Sequence, residues 1–315
     1  MDLLDLPENP IPTGTTLHRL VADDGVALRA ARFPVLSGPA KGTVCLFQGR
    51  GEQIEKYFHV VEKLRARGFA VATLDWRGQG GSQRLLPHAR KGHVPDFRHY
   101  ERDLTAFRRQ LVLPDCPPPY YGLAHSMGGT VLLEASPRLP PWMRRLVLSA
   151  PFLDFAPPLR RKPIRRLSAL LCMVGLGRAM IPGATKKLAV VRDFEDNPLT
   201  SDARLFAMMM TVTGKRPDLG IGPPTNRWIH AAAKAIDRME AAHFPGTVPL
   251  PVMIINPGQD QLVSPYANET MARRLRSCAY VYVPGARHEI MMERPIYQDQ
   301  FWAAFDAFVP GSDES

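Results

Sequence analysis

A serine lies between a predicted strand and a predicted helix in the segment LAHSMGGT (123–130). The preceding residues form a short apolar run typical of a buried strand, and the following TVLLEASPRL has apolar residues at helical spacing. A sharp strand-to-helix turn accepts only small side chains two residues before and after the serine, where this chain has Ala124 and Gly128. Such a turn exposes the hydroxyl of Ser126 beside a helix N-terminus, which favours negative charge. The segment therefore predicts a nucleophile, with a plain turn as the alternative.

A serine hydroxyl is a weak nucleophile unless a base removes its proton. Asp260, in PGQDQLV, and His288, in PGARHEIM, each follow a predicted strand. The order serine, aspartate, histidine is typical of α/β-hydrolases, and loops that follow parallel strands meet at one edge of the sheet. We therefore expect Ser126, His288 and Asp260 to form a catalytic triad. His125 is the alternative base, but on the turn it should point away from its neighbour, and His288 as a surface histidine is the other alternative.

Two backbone N–H groups are expected to stabilise the oxyanion of such a reaction. One belongs to Met127, directly after the serine, and the other to the loop GRGEQ that follows a predicted strand. Arg50 is the predicted donor in that loop, since Gly49 and Gly51 allow a tight turn on either side of it. Its side chain either faces solvent or presents a cation to the polar end of a substrate.

Strands alternating with helices must position these residues. This alternation predicts an α/β fold with a mostly parallel sheet covered on both faces. The strand at 26–35 alternates weakly, as expected for a half-exposed edge, whereas the others are continuously apolar and should be buried. Besides the strand before Ser126, strands are predicted at 26–35, 42–48, 69–76, 144–151, 251–258 and 279–285, and helices at 54–68, 96–113, after Ser126, 264–277 and 297–309. Predicted end residues of these helices are Gly68, Asp96, Ser264 and Pro265.

Residues 152–249 interrupt the alternation of strands and helices because they contain no clear strand. We predict an α/β core at 1–151 and 250–315 and a helical cap at 152–249, inserted at the edge where ligands bind. Within the cap, FAMMMTV (206–212) either lines an apolar pocket or forms ordinary cap core.

Positive charge is concentrated in this cap. The formal net charge is +10, and residues 155–192 contain no acidic residue. The short apolar segment LSALLCMVGLG (167–177) lies among the cations, which suits the surface of an anionic bilayer; a solvated face over a core helix is the alternative. The chain has no helix-turn-helix, zinc or RNA-binding signature, so we expect no nucleic-acid partner. The cations are Arg160, Arg161, Lys162, Arg165, Arg166, Arg178, Lys186, Lys187 and Arg192.

Length and composition suit a globular protein with either one large α/β domain and an insertion or two small domains. The chain has 315 residues, of which 45% are hydrophobic and 22% charged. Its four cysteines, at scattered positions, show no metal spacing and favour a reducing compartment. Because we find neither a secretory signal nor an apolar run near about 18 residues, we expect a cytoplasmic protein with peripheral contact to the inner face of the membrane.

Several motifs together make the sequence resemble the bacterial lysophospholipase family related to monoacylglycerol lipases. The resemblance covers nearly the whole chain and implies an α/β-hydrolase whose triad corresponds to Ser126, His288 and Asp260, without a metal or organic cofactor. Many monoacylglycerol lipases begin the oxyanion loop with His-Gly, whereas this chain has Gln48 and Gly49. The motif DWRGQGGS is expected to be structural, with Asp75 and Arg77 holding loops. The motifs are LAHSMGG, DWRGQGGS (75–82), GHVPDFRHYERDL (92–104), NPLTSD (197–202), GPPTNRWI (222–229) and GARHEI (285–290).

The leading hypothesis from the sequence is hydrolysis of a lysophospholipid or related monoacyl lipid ester through an acyl-enzyme. A monoacylglycerol lipase, a general carboxylesterase and a serine aminopeptidase keep the same fold and site but change the substrate. A catalytically inactive hydrolase fold that serves as a scaffold is the alternative from another class.

Overall fold

The computed structural model describes residues 2–138, 142–183 and 193–312. At its centre is an eight-stranded sheet with the order β1-β2-β4-β3-β5-β6-β7-β8. β2 runs antiparallel to both of its neighbours, β1 and β4, and the strands β3 to β8 are parallel to one another. The strands are β1 (Thr16–Val21), β2 (Ala27–Phe33), β3 (Thr43–Phe47), β4 (Ala70–Leu74), β5 (Tyr120–His125), β6 (Met143–Ser149), β7 (Val252–Pro257) and β8 (Cys278–Val283).

Helices cover both faces of the sheet, which confirms the predicted α/β-hydrolase class. The helices are α1 (Phe58–Ala66), α2 (His99–Phe107), α3 (Leu113–Asp115), α4 (Met127–Ala135), α5 (Arg161–Met173), α6 (Ala203–Lys215), α7 (Asn226–Glu240), α8 (Pro265–Arg274) and α9 (Pro295–Phe308). Apolar residues of α1 and α9 pack on one face of the sheet. Those of α2, α4 and α8 pack on the other. The parallel strands β3 to β7 are therefore largely buried on both sides, which explains their continuous apolar runs in the sequence.

The prediction that 26–35 is an exposed edge strand is wrong. β2 lies between β1 and β4, and most of its side chains are buried. Its weak alternation reflects Arg29, whose buried guanidinium contacts Asp75 at 2.6 Å and Glu55 at 2.7 Å. The edge strand on this side is β1, which the sequence analysis did not predict.

The prediction that 279–285 is buried on both faces is also wrong. β8 pairs only with β7 in the sheet order and ends it on that side. Most of its side chains are partly exposed, and Tyr282 keeps 50% of its surface in solvent. Its apolar residues pack toward α9 on one face and α8 on the other, but its side chains stay partly exposed because only one strand adjoins it.

Three of the four residues predicted to mark helix ends do lie at the end of a helix. Gly68 has φ 84° after α1, and Ser264 accepts a hydrogen bond from the N–H of Ala267 with Pro265 in the first turn of α8. The exception is Asp96, because α2 begins at His99. Asp96 instead accepts a hydrogen bond from the N–H of Arg98, which closes a short turn ahead of the helix.

The DWRGQGGS segment holds loops together, as expected. Asp75 accepts hydrogen bonds from the N–H groups of Ile54 and Gly81 besides its ion pair with Arg29. Arg77 pairs with Asp103 at 2.7 Å and with Asp24 at 2.7 Å. These buried contacts fix the loops after β3 and β4 relative to α2.

Between β6 and β7 the described residues form α5, α6 and α7 and no strand of the sheet. The helices α5 and α7 pack against each other. The cap boundaries at 152 and 249 stay a prediction. No helix in the described ranges is long and apolar enough to cross a membrane.

The cations of the cap are less free than the local absence of acidic residues predicts. Arg161 is buried and contacts Asp154 at 3.1 Å and Asp237 at 3.0 Å, and it also pairs with Glu240. Arg165 contacts Asp237 at 3.2 Å. These acids lie outside 155–192, so the sequence window could not show them. Arg160, Lys162, Arg166 and Arg178 are exposed, whereas Lys186, Lys187 and Arg192 lie outside the described residues.

Candidate active site

Ser126 forms the turn between β5 and α4. Its backbone has φ 48° and ψ −115°, a conformation that is strained for a residue with a side chain. Three hydrogen bonds hold it: its N–H donates to the Ser149 carbonyl at 3.0 Å, and its carbonyl accepts from Thr130 at 3.2 Å and Phe152 at 3.1 Å. Strain that is held this firmly is typical of functional positions.

Two glycines after the serine are required by close packing. A Cβ on Gly128 would lie 2.7 Å from the carbonyl oxygens of both Phe47 and Gln48. A Cβ on Gly129 would lie 2.8 Å from Pro151. The start of α4 therefore contacts the end of β3 directly, which brings the loop after β3 next to the serine.

His288 and Asp260 are in direct contact. The Nδ1 of His288 lies 2.7 Å from Oδ2 of Asp260, and the Asp260 carboxylate is fully buried. The other carboxylate oxygen accepts hydrogen bonds from the N–H groups of Leu262 and Val263 at 2.8 and 3.1 Å. Burial alone would raise the pKa of Asp260, but His288 and these donors outweigh burial and hold the pKa below its usual value.

Ser126 and His288 line the same cavity, which has a volume of about 330 Å³. Met127 and Arg50 line it as well, so four of the five predicted site residues meet there and the fifth, Asp260, holds the imidazole from behind. The apolar part of the wall comes from the cap and from neighbouring loops: Phe152, Phe155, Leu199, Met209, Trp228, Leu262 and Val263.

The segment 206–212 contains both a residue that lines the cavity and residues that form cap core. Met209 lines the cavity. Phe206, Met208 and Val212 pack in a separate apolar cluster with Leu6 and Met292. The other members of that cluster on α6 are Leu205 and Met209 itself. One methionine of this segment therefore contacts the cavity, and most of the segment is cap core.

In the loop after β3, the N–H groups of two glycines donate hydrogen bonds to side chains. Gly49 donates to Glu52 at 2.5 Å, and Gly51 donates to Gln79 at 2.5 Å. Between them, the Arg50 N–H has no acceptor among the residues that the structure describes. Met127 is the first residue of α4, so its N–H has no partner within the helix. Both predicted oxyanion donors are thus uncommitted beside the cavity.

Of the two alternatives for the Arg50 side chain, the one in which it only faces solvent is wrong. Its Nη2 donates to the Gly222 carbonyl at 2.6 Å, and its guanidinium lies 5.2 Å from the centre of the Trp228 ring. Burial lowers the pKa of Arg50 to about 10, so the group stays a cation at neutral pH. A guanidinium therefore lies directly beside Trp228, a residue of the cavity wall.

A buried network of charged side chains lies directly behind the loop after β3. Lys56 Nζ contacts Glu52 at 2.9 Å and Glu289 at 2.6 Å, and Tyr57 donates to Glu52 at 2.6 Å. His125 Nδ1 lies 3.2 Å from Glu52 Oε1. Burial would raise the pKa of Glu52, but Lys56 and His125 lower it well below its usual value. The network fixes the loop because Glu52 also accepts the Gly49 N–H.

His125 belongs to this network, as expected for a side chain that points away from the serine. Its ring centre is 4.7 Å from that of His288, and its Nε2 lies 3.4 Å from the His288 carbonyl. Burial lowers its pKa, but Glu289 and Glu52 outweigh burial and raise it. Glu52, His125 and Glu289 have potential metal-ligand atoms within 4.8 Å of one another. Lys56 already supplies a positive charge to both carboxylates of this group.

The sequence analysis missed Glu52, Lys56 and Glu289. Each adjoins a motif that was identified: GRGEQ contains Glu52, and Glu289 follows His288 directly. The spacing of Glu52 and Lys56, four residues apart, was the available signal for an ion pair. The pairing of Lys56 with Glu289 joins residues 233 positions apart, which no local pattern shows.

The sheet, the strand-turn-helix at Ser126 and the cap together define an α/β-hydrolase. The family described as serine aminopeptidase, S33, matches residues 38–295. The chain belongs to this hydrolase family.

Curated relatives and solved structures agree with this assignment. The chain is similar to a probable lysophospholipase L2 of Haemophilus influenzae, with 27% identity over 79% of this chain and 77% of the relative. It is also similar to lysophospholipase L2 of Escherichia coli strain K12, with 26% identity over 86% of this chain and 80% of the relative. A soluble variant of monoglyceride lipase from Saccharomyces cerevisiae shares the fold, with TM-score 0.73, 23% identity and 96% and 97% of the two chains covered.

Proposed function

We propose that the protein hydrolyses the acyl ester of lysophospholipids or related monoacyl lipids, with Ser126 as nucleophile, His288 as base and Asp260 as the group that orients His288. The observation that carries this proposal is the 2.7 Å contact between His288 and Asp260 at a cavity that Ser126 also lines. The strained backbone of Ser126 supports it, because that turn directs the hydroxyl toward a substrate.

The reaction proceeds in two halves. The hydroxyl of Ser126 attacks the ester carbonyl while Nε2 of His288 takes its proton, and the Nδ1 proton stays hydrogen-bonded to Asp260. The N–H groups of Met127 and Arg50 stabilise the oxyanion. The intermediate collapses to an acyl-serine, and His288 returns the proton to the leaving alcohol. Water then attacks the acyl-serine with His288 as base, which releases the fatty acid and restores Ser126.

The cavity favours a lipid ester over an amino-acid amide, the substrate that the family description suggests. An aminopeptidase needs a carboxylate to bind the ammonium group of its substrate. The carboxylates that line this cavity are Glu52 and Glu289, and Lys56 contacts both at less than 3 Å. The apolar wall formed by the cap suits an acyl chain instead. The names of the curated relatives, which are lysophospholipases, support the same choice.

A substrate panel tests this proposal. Purified protein is assayed with a lysophospholipid, a monoacylglycerol of the same acyl chain, a short p-nitrophenyl ester and an amino-acid amide. We expect turnover of the monoacyl lipids and none of the amide, and kcat of the Ser126→Ala variant at background on every substrate. Turnover of the amide alone would contradict the lipid assignment, and full activity of the variant would contradict the role of Ser126.

We also propose that α5 contacts the surface of an anionic bilayer. Leu167, Leu170 and Met173, three residues apart along α5, expose 53%, 51% and 76% of their surface. Lys162 and Arg166 are exposed on the same helix and have no acidic partner within the described ranges. Exposed apolar residues beside free cations are the pattern of an interfacial helix. Contact there would place the cap, and the cavity below it, at the source of lipid substrate.

Vesicle flotation tests the contact of α5 with a bilayer. We expect the protein to float with vesicles that contain phosphatidylglycerol, less so as salt rises, and Met173→Glu to reduce the bound fraction severalfold. Leu36→Glu, at an exposed apolar position in the loop before β3, is the matched control and should bind like the wild type. Equal binding by Met173→Glu, or tighter binding to duplex DNA than to these vesicles, would contradict the proposal.

A further inference from the structure

The cavity contains a cation that no acidic side chain neutralises. No carboxylate lies within 4.0 Å of the Arg50 guanidinium in the described part of the chain, and its buried Nε has no hydrogen-bond acceptor there. Its polar contact is the single hydrogen bond to the Gly222 carbonyl at 2.6 Å. The other cation of the wall differs, because Lys56 lies between Glu52 and Glu289.

An unpaired buried charge is costly, so its surroundings indicate what it binds. Transferring a charge from water to a protein interior is unfavourable unless a partner of opposite charge or hydrogen-bond acceptors compensate it. Burial accordingly lowers the pKa of Arg50 to about 10. The Trp228 ring at 5.2 Å supports one face of the guanidinium but supplies no acceptor. The N–H groups that remain on Nη1 and Nη2 match the oxygens of a phosphate group.

The place of Arg50 in the loop after β3 relates this cation to the proposed reaction. Its backbone N–H is a proposed oxyanion donor, and its guanidinium lies against Trp228, which lines the same cavity. In a lysophospholipid the phosphate is attached to the glycerol that leaves, a few bonds from the ester carbonyl. One residue can therefore contact the carbonyl through its backbone and the head group through its side chain.

We propose that the Arg50 guanidinium binds the phosphate of a lysophospholipid head group and makes the enzyme prefer phosphate-bearing monoacyl lipids over neutral ones. This inference rests on the proposed function, since it assigns the substrate of the same site. A monoacylglycerol has a hydroxyl where the lysophospholipid has its phosphate, so it removes water from the guanidinium without supplying a negative charge. Only the neutral substrate therefore binds less favourably because of the unpaired cation.

The test compares kcat/KM for oleoyl lysophosphatidylglycerol and oleoylglycerol, both below their aggregation concentrations. The ratio of these two values, phosphate-bearing over neutral, measures the preference. We expect the ratio to fall about tenfold or more in Arg50→Gln, because hydrogen bonds to charged groups contribute about 1.5–3 kcal/mol. Arg50→Lys keeps the charge without the fork and should lie between. Arg227→Gln removes the same charge from α7, one residue from Trp228 and away from the cavity wall, and should keep the wild-type ratio.

The possible outcomes separate this inference from the proposed function. Equal loss on both lipids in Arg50→Gln would overturn the phosphate site and leave lipid hydrolysis intact. Failure of the wild type on both lipids would overturn the proposed function itself. Should Arg50→Gln not fold, wild-type inhibition decides: glycerol 3-phosphate should inhibit hydrolysis of a short neutral ester more strongly than glycerol does. Equal inhibition by the two, or stronger inhibition by inorganic phosphate than by glycerol 3-phosphate, would overturn the head-group assignment.

Discussion

Replacing Asp260 by asparagine tests the hydrogen bond that orients His288. The oxygen that accepts from Leu262 and Val263 can be kept by the asparagine amide, so the loop should hold its shape. The substitution replaces the other carboxylate oxygen, Oδ2, which lies 2.7 Å from Nδ1 of His288, by an amide nitrogen. An amide N–H there requires a lone pair on Nδ1, which moves the imidazole proton to Nε2 and leaves Ser126 without a base. A triad altered in this way loses about 10⁴-fold in kcat, or roughly 5 kcal/mol of transition-state stabilisation.

The assay for Asp260→Asn measures kcat with a soluble p-nitrophenyl ester together with the melting temperature. Asp237→Asn is the matched control, since it removes a carboxylate from an arginine pair in the cap, away from the cavity wall. We expect Asp260→Asn to keep its fold and lose activity, and the control to keep activity. Activity of Asp260→Asn within tenfold of the wild type would refute the reasoning, because the imidazole would then act without the carboxylate.

Two further variants test how the site is built. Gly128→Ala should lower both kcat and the melting temperature, because its Cβ would lie 2.7 Å from two carbonyl oxygens. The control is Gly214→Ala in α6, where a Cβ has no neighbour within 4 Å, and it should lower neither quantity. Equal behaviour of the two variants would contradict the packing argument. Glu52→Gln should lower the free energy of unfolding at pH 7. A carboxyl whose folded pKa is depressed stabilises above its unfolded value of 4.5 and loses that contribution as pH falls, so the difference from wild type should shrink in acid. A constant difference in urea unfolding across pH 3–7, roughly the range that a carboxyl titrates over, would contradict it.

The sequence predicted the parts of the fold that depend on local patterns. Apolar runs located the parallel strands, and small residues around Ser126 indicated the strand-turn-helix. The same patterns failed at β2 and β8, because alternation and apolarity do not show which strands have neighbours on both sides. Arg29 illustrates the reason: a charged residue signals exposure unless its partners, Asp75 and Glu55, are known.

The candidate site was predictable to the extent that its chemistry depends on residue type and order. Ser126, Asp260 and His288 could be selected because each follows a strand whose C-terminal end faces the same edge. The network around Lys56 could not be selected, since it joins residues from distant segments through buried contacts. The environment of the Arg50 side chain likewise depends on Gly222 and Trp228 of the cap, which approach it only in the folded chain.

The central claim is that Ser126 is a nucleophile activated by His288, and covalent labelling tests it most directly. The protein is incubated with a fluorophosphonate, and the modified residue is located by peptide mass spectrometry. We predict a single adduct on the peptide that contains Ser126, no adduct in Ser126→Ala, and much slower labelling in His288→Gln. An adduct on another residue, or none in protein that hydrolyses esters, would contradict the claim.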